Sequence, residues 1–408
     1  SLLPGRDITA SHVKNADVLL VRSVTAVNEE LLGGSRVKFV GSATVGSDHI
    51  DQEYLKLNNI QFANAPGCNS GAVVQYVLSV LYTVRPRWME QTVGIIGCGN
   101  IAQFHIPAMI DVGFNIASIA GSLNSKNALT FARKYKINKV YNNPLDLIEN
   151  ESEWDALLIL SPVATIVDYL NLAVQFGKPI LSEKPMALDH VCLENLIQYK
   201  NIRVAYNRRF YLGVDFSKKY VQRHPNSLIK VTIPENRKDP DHNINFPSRL
   251  PLLSYENSVH IFDLINYISG GVEWRETSSI KAIDKFIAIN ALGYGANGTT
   301  IQLDSYFNSP DNFSINILSG DERVEMKPIE VTSLFKGMEV NEPTLEMPIR
   351  LYTPKLQNKI IDFPKDGHKP GFLGQANDFM NFCLGSEDCI GADIEDAYSA
   401  LKLAHLLL

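Results

Sequence analysis

Thr92-Val-Gly-Ile-Ile-Gly-Cys-Gly-Asn-Ile-Ala102 decides how this chain of 408 residues is read. A short apolar run, a strand by its composition, meets a G-x-G-x-x-A pattern that opens a helical stretch. In such a turn Gly97 permits the tight bend and Gly99 lets the backbone approach a pyrophosphate. Ala102 keeps the helix close to the strand, and Asn100 and Ile101 complete the turn. The helix N-terminus then offers amide donors and the positive end of its dipole to phosphates. The alternative is a glycine-rich turn that only joins strand to helix. The alternating units that follow argue instead for dinucleotide binding.

Those units run forward in regular order. Strand Val93–Ile96 leads to a helix over Asn100–Ile110, a strand over Asn115–Ala120 and a helix over Ser125–Tyr135. A strand over Ala156–Leu160 precedes a helix over Thr165–Phe176, and a strand over Pro179–Ser182 precedes a helix over Val191–Tyr199. Short apolar strands alternating with helices predict a parallel sheet covered on both faces. No Asp or Glu occurs between Asp111 and Asp146, where a carboxylate would meet the ribose 2′-hydroxyl of NAD. Ser122, Ser125 and Lys126 stand there instead, so the expectation leans to NADP, with NAD as the alternative. A polar turn that touches no phosphate is the plain reading.

Two further segments carry chemistry. Leu181-Ser-Glu-Lys-Pro185 ends a strand, where ligands bind in an open parallel sheet. A lysine held there can polarise a substrate oxygen, although exposed Glu-Lys pairs are also common surface features. Tyr255-Glu-Asn-Ser-Val-His-Ile-Phe-Asp-Leu264 enters an apolar helix. There Glu256 and His260 share a face if the helix reaches back that far, and a carboxylate can orient a histidine for proton transfer. A packed histidine is the alternative at His260, and the expected state of His105 and His405. Asp263 reads as a helix-surface acid.

From Ser227 onward the pattern changes to β-rich alternation, as in Ile280–Ile289 and Thr299–Phe307, with helices at Ser258–Ile268, Phe372–Leu384 and Glu395–Leu408. This predicts an α+β part with a mainly antiparallel open sheet. Before the fingerprint, β-like runs at Val18–Arg22 and Lys38–Gly41 and helical patterns at Asp48–Leu57 and Ser70–Val84 make a partial α/β fragment. Val73, Val77, Val80 and Leu81 carry the spacing of a buried helix face. The seam between the two is the polar stretch Arg85-Pro-Arg-Trp-Met-Glu90.

Composition narrows the classes. With 38 Lys+Arg against 44 Asp+Glu the net charge is -6, so no basic face for nucleic acid is indicated. The five cysteines are odd in number and lack C-x-x-C spacing, which disfavours a disulfide framework or a structural zinc, and no metal site is expected. No run reaches the ~18 apolar residues of a membrane span. The chain opens Ser-Leu-Leu-Pro, with neither an initiator Met nor a signal peptide. A cytoplasmic protein missing its true start is expected.

From Thr92 to the C-terminus the chain resembles the Gfo/Idh/MocA oxidoreductases. The matching segments are Gly97–Ala102, Asp155–Pro162, Gly177–Pro185, Tyr206–Phe210, the surroundings of His260, Gly371-Phe372 and Glu395–Ala397. The resemblance implies a Rossmann NAD(P)-binding domain followed by the α+β domain. It implies Lys184 as active-site lysine, His260 as acid/base with Glu256 in place of the common Asp, and Ser161, Pro162 and Glu183 beside the cofactor. Ile166 replaces the usual histidine and Ser258 the usual glycine. Residues 1–84 resemble a different family, the erythronate-4-phosphate dehydrogenases. That resemblance rests on Leu3–Arg6, Asp17–Thr25, Lys38–Thr44, Asp48–Asp51, Asn64–Asn69 and Ala72–Val77. It places Ser23 and Thr44 at substrate contacts, but the catalytic residues of that family fall downstream, where this chain follows the other one.

The expectation is therefore a fusion of three pieces: 1–88, a partial hydroxyacid-dehydrogenase-type domain; 89–210, the dinucleotide domain; 211–408, the substrate and oligomerisation domain. The expected activity is hydride transfer between nicotinamide and a sugar, cyclitol or sugar derivative, with Arg208 and Arg209 favouring an acidic or phosphorylated one. Erythronate-4-phosphate dehydrogenation and a non-redox or binding role are the alternatives. The expected partner is a small molecule, with no nucleic acid and no membrane, in a homodimer or homotetramer.

Overall fold

The computed structural model describes residues 3–44, 46–65, 70–84, 91–122, 125–235, 257–282, 285–306, 309–364 and 367–407. Two compact units are present, Ser1–Met89 and Glu90–Leu408.

In the first unit, parallel strands β1 (Val18–Val21), β2 (Phe39–Ser42) and β3 (Gln61–Asn64) lie side by side in chain order. Short helices α1 (Ala10–Val13), α2 (Glu29–Leu32) and α3 (Gln52–Leu57) join them, and α4 (Ser70–Val84) follows. α3 begins later than the pattern over Asp48–Leu57 predicts, because the Asp51 carboxylate caps it by accepting the Tyr54 N–H at 2.9 Å. Val13, Leu19, Val27, Leu32, Val40 and Leu55 form a small core. β1 alternates strictly between exposed and buried, leaving Val18 and Leu20 outward. Of the buried face expected on α4, the two residues whose side chains are described, Val73 and Val77, are about half exposed, at 51% and 46%. The pattern suits a helix packed on a larger sheet than these three strands provide. The side chains of Val80 and Leu81 lie outside the described residues.

The second unit opens with six parallel strands: β4 (Thr92–Ile96), β5 (Asn115–Ala120), β6 (Lys139–Tyr141), β7 (Ala156–Ile159), β8 (Ile180–Ser182) and β9 (Ile202–Val204). Their spatial order is β6-β5-β4-β7-β8-β9, so the chain reverses direction across the sheet between β4 and β7. That order is the doubly wound dinucleotide-binding arrangement, with its crevice at the reversal. β7 is buried at every position, as a strand covered on both faces must be. The connecting helices are α5 (Ala102–Asp111), α6 (Lys126–Tyr135), α7 (Pro144–Glu149) and α8 (Val163–Ala173). Ser125 caps α6 by accepting the Ala128 N–H, and Pro144 starts α7 behind the cap Asn143. The helix expected over Val191–Tyr199 is instead a 3-10 helix, His190–Leu196, closed by tighter bonds such as Cys192 N–H to Asp189 O at 3.2 Å.

After α9 (Leu212–Arg223), the remaining strands build one eight-stranded sheet: β10 (Leu228–Thr232), β11 (Val272–Ala282), β12 (Lys285–Gly295), β13 (Thr300–Tyr306), β14 (Ser314–Ser319), β15 (Glu322–Met326), β16 (Val331–Asn341) and β17 (Leu351–Ile361). Its order is β11-β12-β13-β10-β14-β15-β16-β17, antiparallel except at β10–β13. α10 (Ser258–Ser269), α11 (Phe372–Cys383) and α12 (Ile394–Leu407) complete the unit. Ile229, Ile301 and Ile317 from the sheet share a core with Val214, Ile261, Leu264 and Leu401 from the helices. No helix among the described residues is long and apolar enough to cross a membrane.

Candidate active site

The glycine turn sits where β4 and β7 part. Gly97 has φ +104°, a left-handed conformation that side chains resist. A Cβ there would also stand 2.5 Å from the carbonyl carbon and oxygen of Leu160 and 2.6 Å from Ser161 N. Gly97 N–H donates to Ala120 O at 2.8 Å, which ties the turn to β5. Gly99 is different: a Cβ there would meet no atom of the described residues within 4 Å. Packing alone therefore does not call for glycine at this position, and the open space beside it suits a phosphate approaching the backbone. Asn100 and Ile101 form the turn that enters α5, whose Ala102 is fully buried against the sheet. Cys98 lies within the turn, but burial pushes its thiol up to about 11, so it stays protonated.

Beyond β5, Ser122 and Lys126 are exposed. Ser125 lies between them, its hydroxyl oxygen engaged in the α6 cap at 3.3 Å. Ser161 lies just after β7 and accepts a hydrogen bond from the Thr165 hydroxyl at 3.1 Å, and Pro162 stands at the N-cap of α8. Ile166, in place of a histidine, is buried in the core.

Glu183 and Lys184 follow β8 directly. The Glu183 carboxylate is buried: Oε1 lies 2.7 Å from His105 Nε2, and Oε2 accepts the Lys184 N–H at 3.1 Å. His105, expected as a packed histidine, is buried but also partnered; His405, expected the same way, is exposed and bonds to Leu188 O at 2.9 Å.

His260 occupies the first turn of α10, 6% exposed, with its ring 5.7 Å from that of Tyr206. Its Nδ1 is buried with no hydrogen-bond partner among the described residues. Burial drives its pKa well below the ordinary value, helped by the charges of Lys184, Arg208 and Lys369, so the imidazole is neutral. The three cations belong to three separate segments of the chain. Asn207 Nδ2 donates to Pro370 O at 2.9 Å, which joins the Arg208 segment to that of Lys369. Glu256 lies outside the described residues. The carboxylate that organises this helix start is Glu235, which accepts from Ser258 N at 2.8 Å, Ser258 Oγ at 2.7 Å and Asn257 N at 3.2 Å.

The two arginines part company. Arg209 is 4% exposed; its Nε lies 3.0 Å from both carboxylate oxygens of Asp263, and its Nη1 is 3.0 Å from Asp396. Burial opposes its charge, but Asp263 and then Asp396 outweigh that and hold the guanidinium charged. Arg209 is thus buried and ion-paired with two carboxylates inside the protein, where the expectation placed it at a substrate. Asp263 is likewise no surface acid: it is 1% exposed, and burial pushes its carboxyl up to about 6 against the pull of Arg209. Arg208 is half-buried, its charge felt by His260, with Nη1 unpartnered among the described residues.

Ser23 and Thr44 belong to the first unit, after the C-terminal ends of neighbouring strands β1 and β2. Thr44 Oγ1 lies 2.8 Å from Ser42 Oγ, and Ser23 is exposed. Lys369, Glu235 and the partnered role of His105 escape the sequence reading, since each acts on a residue far away in the chain.

Comparison with known proteins gives relatives of two kinds. Residues 4–362 match the family model for the D-isomer specific 2-hydroxyacid dehydrogenase, catalytic domain. Erythronate-4-phosphate dehydrogenase of Cellvibrio japonicus (strain Ueda107) is 54% identical over 99 residues, covering 24% of this chain and 26% of that protein. The enzyme of the same name from Teredinibacter turnerae is 55% identical over 98 residues, with coverages of 24% and 26%. The chain thus spans about a quarter of the length of these curated relatives. Among solved structures, UDP-N-acetylglucosamine 3-dehydrogenase from Acidithiobacillus ferrooxidans superimposes with TM-score 0.59 at 17% identity, over 78% of this chain and 96% of that one. Levoglucosan dehydrogenase, solved with NADH and levoglucosan, gives 0.60 at 15% identity, over 78% and 96%. This chain shares its fold with these two dehydrogenases.

Proposed function

Because the chain belongs to the D-isomer specific 2-hydroxyacid dehydrogenase family, with a match over residues 4–362, we propose that it is a nicotinamide-dependent oxidoreductase acting on a CH–OH group, with its chemistry in the second unit. One observation carries this most: Gly97 and Gly99 stand at the crevice of a β6-β5-β4-β7-β8-β9 sheet, and Lys184 follows the end of β8. The residues fit a dinucleotide, since Gly97 is demanded by packing while Gly99 is demanded by nothing in the protein itself. Gly97, Gly99, Asn100, Ile101 and Ala102 hold its pyrophosphate, with Ser161, Pro162 and Glu183 lining the way to Lys184. When bound, the nicotinamide ring supplies or accepts the hydride.

His260 takes the hydroxyl proton. Its Nδ1 is buried, which leaves Nε2 for the substrate, and neutrality keeps that nitrogen ready to accept. Lys184 stabilises the developing alkoxide by its charge. The substrate is a sugar, cyclitol or sugar derivative, and Arg208 favours an acidic one. Ser122, Ser125 and Lys126, in a sequence without Asp or Glu between Asp111 and Asp146, favour NADP over NAD. The chain is a fusion of a partial hydroxyacid-dehydrogenase-type segment with a larger sugar-dehydrogenase-like unit.

A second reading, oxidation of 4-phosphoerythronate, is favoured by the curated relatives. The test is a substrate panel containing inositol, glucose, glucuronate and 4-phosphoerythronate, run with NAD and NADP. Lys184→Ala and His260→Ala are each expected to abolish turnover on any member that reacts. Turnover surviving both changes overturns the assignment.

A further inference from the structure

A buried carboxylate must be partnered, and Glu183 has two partners that point in different directions along the chain. Oε1 meets His105 Nε2 at 2.7 Å, and Oε2 accepts the N–H of the next residue, Lys184, at 3.1 Å. His105 is in the first turn of α5, the helix opened by the glycine turn, and is 2% exposed. Its ring packs edge-on against Phe372 at 4.8 Å, and its backbone N–H donates to Ile101 O at 3.3 Å as α5 begins. An apolar pair of similar shape would hold helix to sheet as firmly, because burying ionisable groups costs desolvation. A hydrogen-bonded pair adds direction: with Oε1 fixed, Oε2 is fixed, and so is the backbone of Lys184.

We propose that His105 is a positioning residue for Lys184, acting through the Glu183 carboxylate, so that the helix of the glycine turn and the lysine are held as one body. The proposal rests on the reading of Lys184 as the active-site lysine, but its geometry is independent of any substrate.

The test uses the full chain and two readouts. Reductive methylation with ¹³C-formaldehyde, followed by peptide mass spectrometry, gives the labelling rate of Lys184 against that of exposed Lys219. Titrations with NADH and with NADPH, read by fluorescence, are run in parallel. His105→Leu is expected to raise the Lys184 rate about fivefold or more relative to Lys219, while His105→Gln, which keeps a donor near the Nε2 position, stays within about twofold of the parent. Glu183→Gln keeps the shape and is expected to raise the rate about threefold; it carries the test if His105→Leu does not fold. A folded His105→Leu with an unchanged Lys184 rate overturns the proposal, as does His105→Gln behaving like leucine. Absence of binding of both NADH and NADPH by the parent chain overturns the proposed function instead, and the labelling rates still decide the role of His105.

Discussion

A side chain at Gly97 would collide with Leu160, its Cβ only 2.5 Å from the Leu160 carbonyl. Two strand ends meet there at the reversal of the sheet, and the chain passes between them with φ +104°. Gly99, two residues on, has neither constraint. The pair separates what the fold needs from what a ligand needs.

Gly97→Ala is therefore expected to destabilise the protein by about 1–3 kcal/mol through backbone strain, with a further cost from the clash. Gly99→Ala is expected to leave the denaturation midpoint nearly unchanged while weakening dinucleotide binding at least about tenfold. Urea denaturation and NADH titration of both variants check this. Equal stability losses at the two positions would show that both glycines serve packing.

Arg209→Met leaves Asp263 buried without its partner and is expected to cost about 3–5 kcal/mol. Pairing it with Asp263→Leu should recover much of that loss, because the uncompensated charge is then gone. Denaturation of the single and double variants measures the coupling. A stable Arg209→Met variant with a raised KM would return this arginine to the substrate.

His260 makes stability depend on pH with a definite sign. Its folded pKa lies well below the ordinary value of 6.5, so below that value the unfolded chain takes up a proton that the folded one refuses. The stability contributed by the neutral ring is thus full above pH 6.5 and is lost as pH falls from there towards the folded pKa. Denaturation at pH 5 and pH 7.5 should show a larger acid loss in the parent than in His260→Gln. An equal loss in both would mean that the ring is not held neutral.

Glu235 gathers Asn257 and Ser258 at the start of the helix that carries His260. Glu235→Ala leaves those donors unsatisfied and is expected to cost about 1–3 kcal/mol. If it also aims His260, kcat falls by more than the stability loss explains while NADH affinity is kept. Ser258→Gly, which removes only the hydroxyl bond, should cost about 0.5–1.5 kcal/mol.

The parts legible in the sequence are those fixed by neighbours. The strand before Gly97, the turn and the helix after it are local, and the apolar strands that follow show the parallel sheet. The placement of Lys184 after β8 follows from the same alternation. Arg209, Asp263 and Asp396 were illegible because the partners lie 54 and 187 positions apart. Periodicity misplaces Asp263 for a further reason: α10 is buried almost all round, so no polar face distinguishes it. α4 shows the converse, an apolar stripe whose described residues remain half exposed. His105 and Glu183 are 78 residues apart and become a pair only when α5 packs beside β8.

The most direct test of the account is titration of the full chain with NADH and NADPH, followed by nicotinamide fluorescence, in the parent, Gly99→Ala and Ser23→Ala/Thr44→Ala proteins. The account predicts saturable binding of at least one coenzyme in the micromolar range, with NADPH the tighter. That binding should be weakened at least about tenfold by Gly99→Ala and unchanged by the substitutions in the first unit. Absence of saturable binding in the parent, or binding that survives Gly99→Ala intact, would contradict it.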